Sequence, residues 1–118
     1  MSLNKEIERY SQLNGYAIEN YHDITCSCGR NEFELYSDDT EGGAFVVCTT
    51  CGAEHDIENS RQYIEEITHN ISTCDNDSLN AGYGISYYPK SSDPRWIYVG
   101  AHCRKCGLSG VYVDWKVN

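Results

Sequence analysis

"CSCGRNEFELYSDDTEGGAFVVCTTCG", residues 26–52, closes two short cysteine knuckles on the ends of one strand–turn–strand segment. Phe33 and Leu35 alternate with Glu32 and Glu34, the period of a half-buried strand, and "DDTEGG" (38–43) supplies the turn residues of a hairpin. "AFVVC" brings the chain back to the second knuckle. Beyond it "AEHDIE" (53–58) alternates again, with Glu54, Asp56 and Glu58 on one face and His55 and Ile57 on the other. The chain has 118 residues and seven cysteines, at 26, 28, 48, 51, 74, 103 and 106. A chain of this length buries only a modest core, so disulfides or a metal are expected to supplement it.

Cys26-x-Cys28-Gly29, nineteen intervening residues and Cys48-x-x-Cys51-Gly52 resemble a zinc ribbon over about residues 24–58. The resemblance implies that each knuckle folds back to point both thiolates at one ion, and that the hairpin sets the two knuckles face to face for tetrahedral coordination. Four thiolates make a closed centre, which contributes folding energy and does no chemistry. Zinc is the default ion, and iron also suits a tetrahedral sulfur site. Cys26-x-Cys28 is one residue shorter than the usual knuckle and needs a tighter loop. Gly29, Gly52 and Gly107 each follow the last cysteine of a knuckle, where a positive φ is favoured. The competing reading makes these cysteines free core thiols.

A weaker echo follows over 72–117. "DITC" (23–26) resembles "ISTC" (71–74), and "FVVCTTCG" (45–52) resembles "VGAHCRKCG" (99–107), which places Asn76 where Cys28 would stand. Cys74, Cys103 and Cys106 are three candidate ligands of a second metal; His69, His102, Asp75 and Asp77 are candidates for the fourth, His69 standing at the end of a predicted helix. Three ligands with an open fourth position would also suit a zinc enzyme, but no H-E-x-x-H motif accompanies them.

Elsewhere, Leu3, Ile7 and Tyr10 recur at helical spacing, with Gly15 as a stop, and predict a helix over 3–14. Asn59 and Gln62 form a capping pair, and Tyr63, Ile64, Ile67 and Ile71 predict a second helix over about 60–70. Residues 83–88, 95–100 and 110–117 read as three strands. The expected fold is mainly β with two short helices, a tandem pair of zinc-ribbon-like antiparallel β-hairpins stapled by metal. Residues 1–118 are read as one unit, with the first ribbon and both helices in 1–70 and a degenerate second ribbon in 71–118.

The net charge of −9 lies entirely in the first half: residues 1–59 hold 12 acids against 3 bases, residues 60–118 six against six. Glu32, Glu34, Glu54, Asp56 and Glu58 are therefore candidate partner-binding residues. Such a surface repels a phosphate backbone and attracts a basic protein. Solubility alone is the competing reading of the acids. Met1–Tyr10 is polar and no run approaches the ~20 apolar residues of a membrane span, so a cytoplasmic protein without a membrane partner is expected, with reduced thiols. The leading functional expectation is a non-enzymatic zinc protein binding a basic protein, as an inhibitor, immunity protein or adaptor does. A nucleic-acid-binding ribbon is the rival, using Trp96, Arg104 and Lys105 of the aromatic second half. No small-molecule substrate is evident.

Overall fold

The computed structural model describes residues Ser2–Val117. Helix α1 spans Leu3–Asn14: the Ser2 hydroxyl caps it by accepting the Lys5 N–H at 3.2 Å, and Gly15 ends it at φ 88°. Eight strands follow, β1 (Asn20–Asp23), β2 (Phe33–Asp38), β3 (Gly43–Cys48), β4 (Glu54–Asp56), β5 (Thr68–Asn70), β6 (Asn80–Tyr87), β7 (Pro94–His102) and β8 (Ser109–Lys116). They form two antiparallel sheets of order β4-β3-β2-β5 and β1-β6-β7-β8. Among the described residues no helix is long and apolar enough to cross a membrane.

Two features differ from the sequence-based expectation. The second helix over 60–70 does not form: Arg61–Tyr63 make one 3-10 turn, Ile64 is already extended, and β5 begins at Thr68. The reason is a competing set of hydrogen bonds. The buried Asp38 carboxylate accepts the backbone N–H groups of Glu65 and Glu66 at 3.0 and 3.1 Å, donors that a helix would have turned on its own carbonyls. Its apolar stripe has little to bury against, since Tyr63, Ile67 and Ile71 stay half exposed or more.

Nor are there two hairpins in tandem. β2-β3-β4 and β6-β7-β8 are each three-stranded meanders, and each takes its fourth strand from the segment that leads into the other one's cysteines. Strand β1, just before Cys26, pairs with β6; strand β5, just before Cys74, pairs with β2. The exchange is regular: Asn20 opposes Ile85 in one sheet, and Leu35 opposes Asn70 in the other. Between them Phe33 and Leu79 exchange both backbone hydrogen bonds, at 2.7 and 2.8 Å, and join the sheets. Hairpin periodicity shows which strands are neighbours in sequence and carries no information about this crossing.

One core runs through both sheets. Phe33, Leu35 and Val46 from the first meet Ala81, Ile85, Ile97 and Val99 from the second, with Cys26, Cys48 and Cys103 at its margin. Helix α1 covers the opposite face of the second sheet, where Ile7 is fully buried over Gly84 and Gly100. A Cβ on Gly84 would lie 2.7 Å from Ile18 Cγ2 and 3.1 Å from Ile7 Cγ2, so glycine there sets how closely this layer seats. Tyr10 and Trp96 both donate to Asp114, at 3.0 and 2.9 Å, and Tyr98 donates to the Tyr16 carbonyl at 2.8 Å.

Candidate metal centre

The four cysteines of the first knuckle pair converge. Cys26 and Cys28 approach from the loop between β1 and β2, Cys48 from the end of β3 and Cys51 from the turn into β4. Their sulfurs all lie within 4.8 Å of one another, with Cys26 Sγ 3.5 Å from Cys51 Sγ and Cys28 Sγ 3.7 Å from Cys48 Sγ. A tetrahedral ion with ~2.3 Å metal–sulfur bonds needs sulfurs about 3.8 Å apart, so the donor set fits zinc or iron in size and chemistry. The short Cys26-x-Cys28 loop displaces neither sulfur. Its tightness is met at Gly29, whose φ of 90° lets its N–H reach the Cys26 carbonyl at 2.8 Å.

Main-chain dipoles and one histidine prepare the thiolates. The Cys28 amide, and after it the His55 side chain, bring the Cys26 thiol down to about 6 against the cost of burial. His55 Nε2 is buried without a hydrogen-bond partner, its ring edge-on to Phe33. The Ala53 amide favours the Cys51 thiolate as well, but the Cys26 sulfur beside it and burial outweigh that and push the group up to about 12. Crowding four sulfurs thus lets some ionise readily while others hold their protons, and a divalent cation is the species that draws off all of them.

Cys74, Cys103 and Cys106 form a second cluster within the same 4.8 Å span, Cys74 Sγ lying 3.5 Å from Cys103 Sγ. The Asn76 side-chain amide donates to Cys103 Sγ at 3.4 Å; that bond first, and then the Cys106 amide, take the Cys103 thiol down to about 5 although it is buried. The four side chains considered for the fourth position lie elsewhere. His69 is on edge strand β5, its Nε2 3.5 Å from Asp77 and 3.7 Å from Glu34, in a separate half-exposed group. His102 Nδ1 is 2.6 Å from the Ser109 hydroxyl, and Asp75 is a turn residue at φ 66°. The group beside the three sulfurs is Ser72, whose Oγ is 3.3 Å from Cys106 Sγ and 3.7 Å from Cys74 Sγ.

No family model, curated protein or solved structure matches this chain. Two cysteine clusters able to hold metal ions are therefore established by geometry alone.

The five acidic candidates separate. Cross-strand register puts Glu54, Val47 and Glu34 in one row on the outer face of the first sheet, and Asp56, Phe45, Tyr36 and His69 in the next. Phe45, Tyr36 and His69 stack in sequence, with centroids 5.0 and 4.7 Å apart, and the Arg61 guanidinium caps Phe45 at 3.6 Å while pairing with Glu54. Glu32 lies before β2, 4.0 Å from Arg104, and Glu58 sits in a left-handed turn with its carboxylate 3.4 Å from the Tyr83 hydroxyl. In the aromatic half, Trp96 stacks on Tyr16 and Tyr98 is fully buried, so these rings serve the helix–sheet contact. Asp38, another acid of the first half, is interior.

Proposed function

We propose that this chain is a non-catalytic module, stapled by zinc at Cys26, Cys28, Cys48 and Cys51, that docks on a basic protein through the outer face of its first sheet, in the manner of an inhibitor or adaptor. The supporting observation is the array of Glu34, Glu54 and Asp56 around the Phe45–Tyr36–His69 stack. Arg61 holds two of these carboxylates, its guanidinium donating to Glu54 and its backbone N–H to Asp56, so less ordering entropy is lost on binding. The Tyr36 and His69 rings, which unlike Phe45 reach the surface, supply contact area, and acids around them select a cationic partner and speed its approach. The neighbouring Ile67 and Ile71, both half exposed, extend the apolar area. A four-thiolate zinc centre has no open position and acts by holding the knuckles that frame the sheet.

The test is retention of a partner from nuclease-treated host lysate by the wild type and by a Glu34→Lys, Glu54→Lys, Asp56→Lys variant. A basic protein released by salt from the wild type and lost from the variant is the expected result. Equal retention by both would overturn the acidic face. Recovery of nucleic acid in place of protein from untreated lysate would transfer the function to the second half.

A further inference from the structure

The two cysteine clusters are built on one backbone plan, and comparing them position by position identifies the residue that completes the second. In the first loop the Cys26 N–H donates to the Arg30 carbonyl at 2.8 Å and the Gly29 N–H to the Cys26 carbonyl at 2.8 Å. In the second the Ser72 N–H donates to the Asn76 carbonyl at 2.9 Å and the Asp75 N–H to the Ser72 carbonyl at 2.8 Å. Gly29 and Asp75 both have positive φ, 90° and 66°. The equivalences are therefore Cys26 with Ser72, Cys28 with Cys74, Gly29 with Asp75 and Arg30 with Asn76. The alignment of "DITC" with "ISTC" is two residues out of step, and Asn76 does not replace a cysteine.

The opposing knuckles correspond in the same way. Cys48 N donates to the Ala53 carbonyl at 2.9 Å and Gly52 N to the Cys48 carbonyl at 2.9 Å; Cys103 N donates to Leu108 and Gly107 N to Cys103, each at 2.8 Å. Three of four ligand positions are thus cysteine in both clusters, and the fourth is a serine that is 3% exposed. Its hydroxyl approaches two of the three sulfurs.

We propose that the second cluster is a zinc centre of three thiolates, Cys74, Cys103 and Cys106, with the Ser72 hydroxyl oxygen in the fourth position, and that it exchanges its ion more readily than the first. This rests on the reading of the first cluster as a zinc site. A neutral hydroxyl is a harder and weaker donor to zinc than a thiolate, so replacing one thiolate lowers affinity. It also changes the formal charge of the centre from −2 to about −1, while the Asn76 amide on Cys103 draws off part of the remaining sulfur charge. The chain would then carry a permanent staple beside an exchangeable ion.

The experiment is zinc stoichiometry by mass spectrometry under native conditions on the full chain, with a competing chelator added in steps. Wild type is expected to hold two zinc ions and release one ahead of the other. Cys103→Ala should remove the early ion and leave the late one. Ser72→Ala should release the early ion sooner still, whereas Ser72→Cys should retain it at least about tenfold better, so that both ions leave together. With cobalt(II) in place of zinc, Ser72→Cys should also strengthen the sulfur-to-metal charge-transfer band by one thiolate's share. One ion per wild-type chain, retained when Cys103 is replaced, would overturn the second centre and leave the first intact. Early release unchanged in both Ser72 variants would overturn the role of Ser72. A wild-type chain with no ion at all would overturn the zinc reading of both clusters.

Discussion

Asp38 is a carboxylate with four main-chain partners. One oxygen accepts the Thr40 and Glu41 N–H groups of the β2–β3 turn, the other those of Glu65 and Glu66 on the way into β5. These amides, that of Glu65 foremost, hold its pKa below the usual carboxylate value. A depressed folded-state pKa contributes stability that is present above the unfolded-state value of about 3.9 and is lost as pH falls through the folded value. Asp38→Asn should therefore be less stable than wild type at neutral pH in denaturant titrations, with the gap closing as pH drops below about 4. A gap of constant size down to about pH 2 would show that the charge is not what the four amides recognise. His55 is the other single residue with a defined consequence. Its ring favours the Cys26 thiolate from outside the ligand set, so His55→Phe should lower zinc affinity at the first site by about 10-fold, measured by chelator competition. Unchanged affinity would make His55 a packing residue against Phe33 only.

At the scale of elements, the helix and the segment after Gly15 rest on glycines of the second sheet. Gly84→Ala should destabilise the chain because its Cβ meets Ile18 Cγ2 at 2.7 Å, and the loss should be smaller in an Ile18→Ala background, with a coupling of about 1 kcal/mol in a double-mutant cycle. Additive losses would mean that Ile18 can step aside. This contact was beyond the reach of sequence periodicity, whereas helix α1 itself was legible, since Leu3, Ile7, Tyr10 and Gly15 are local signals. The hairpin of β2 and β3 was legible for the same reason: its alternation, its turn and its flanking cysteines all lie within residues 26–52. The segment 60–70 misled because its apolar spacing is helical, while the Asp38 carboxylate that claims its amides lies more than twenty residues earlier. Ser72 went unseen for a different reason. A serine standing where the first cluster has Cys26 leaves no mark in composition, and only the repeated backbone hydrogen bonds expose the correspondence.

For the whole molecule, the exchange of β1 and β5 decides how the two sheets share their stability. Each sheet has an edge strand whose chain continues into the other cluster, and the core between them is continuous from Phe33 and Val46 to Ile85 and Val99. Neither half can complete its sheet alone, which predicts a single cooperative unfolding transition. The positions of the two tryptophans make this measurable. Trp115, on β8, packs against Gly42 in the first sheet's turn, whereas Trp96, on β7, stacks on Tyr16 on the helix side of the second sheet; with Trp115 replaced by Phe, the Trp96 fluorescence reports on the second sheet, while the four-thiolate cluster is built from the first. Cys48→Ala removes one ligand of that cluster and, in the cooperative case, lowers the midpoint of the tryptophan transition as far as it lowers the midpoint of zinc release. Removing zinc with a strong chelator should do the same to the wild type, because binding energy at a structural centre is folding energy. If the tryptophan transition instead stays at its original midpoint in Cys48→Ala, the second sheet holds together without the first, and the exchanged strands are docked segments with no share in the stability of their hosts.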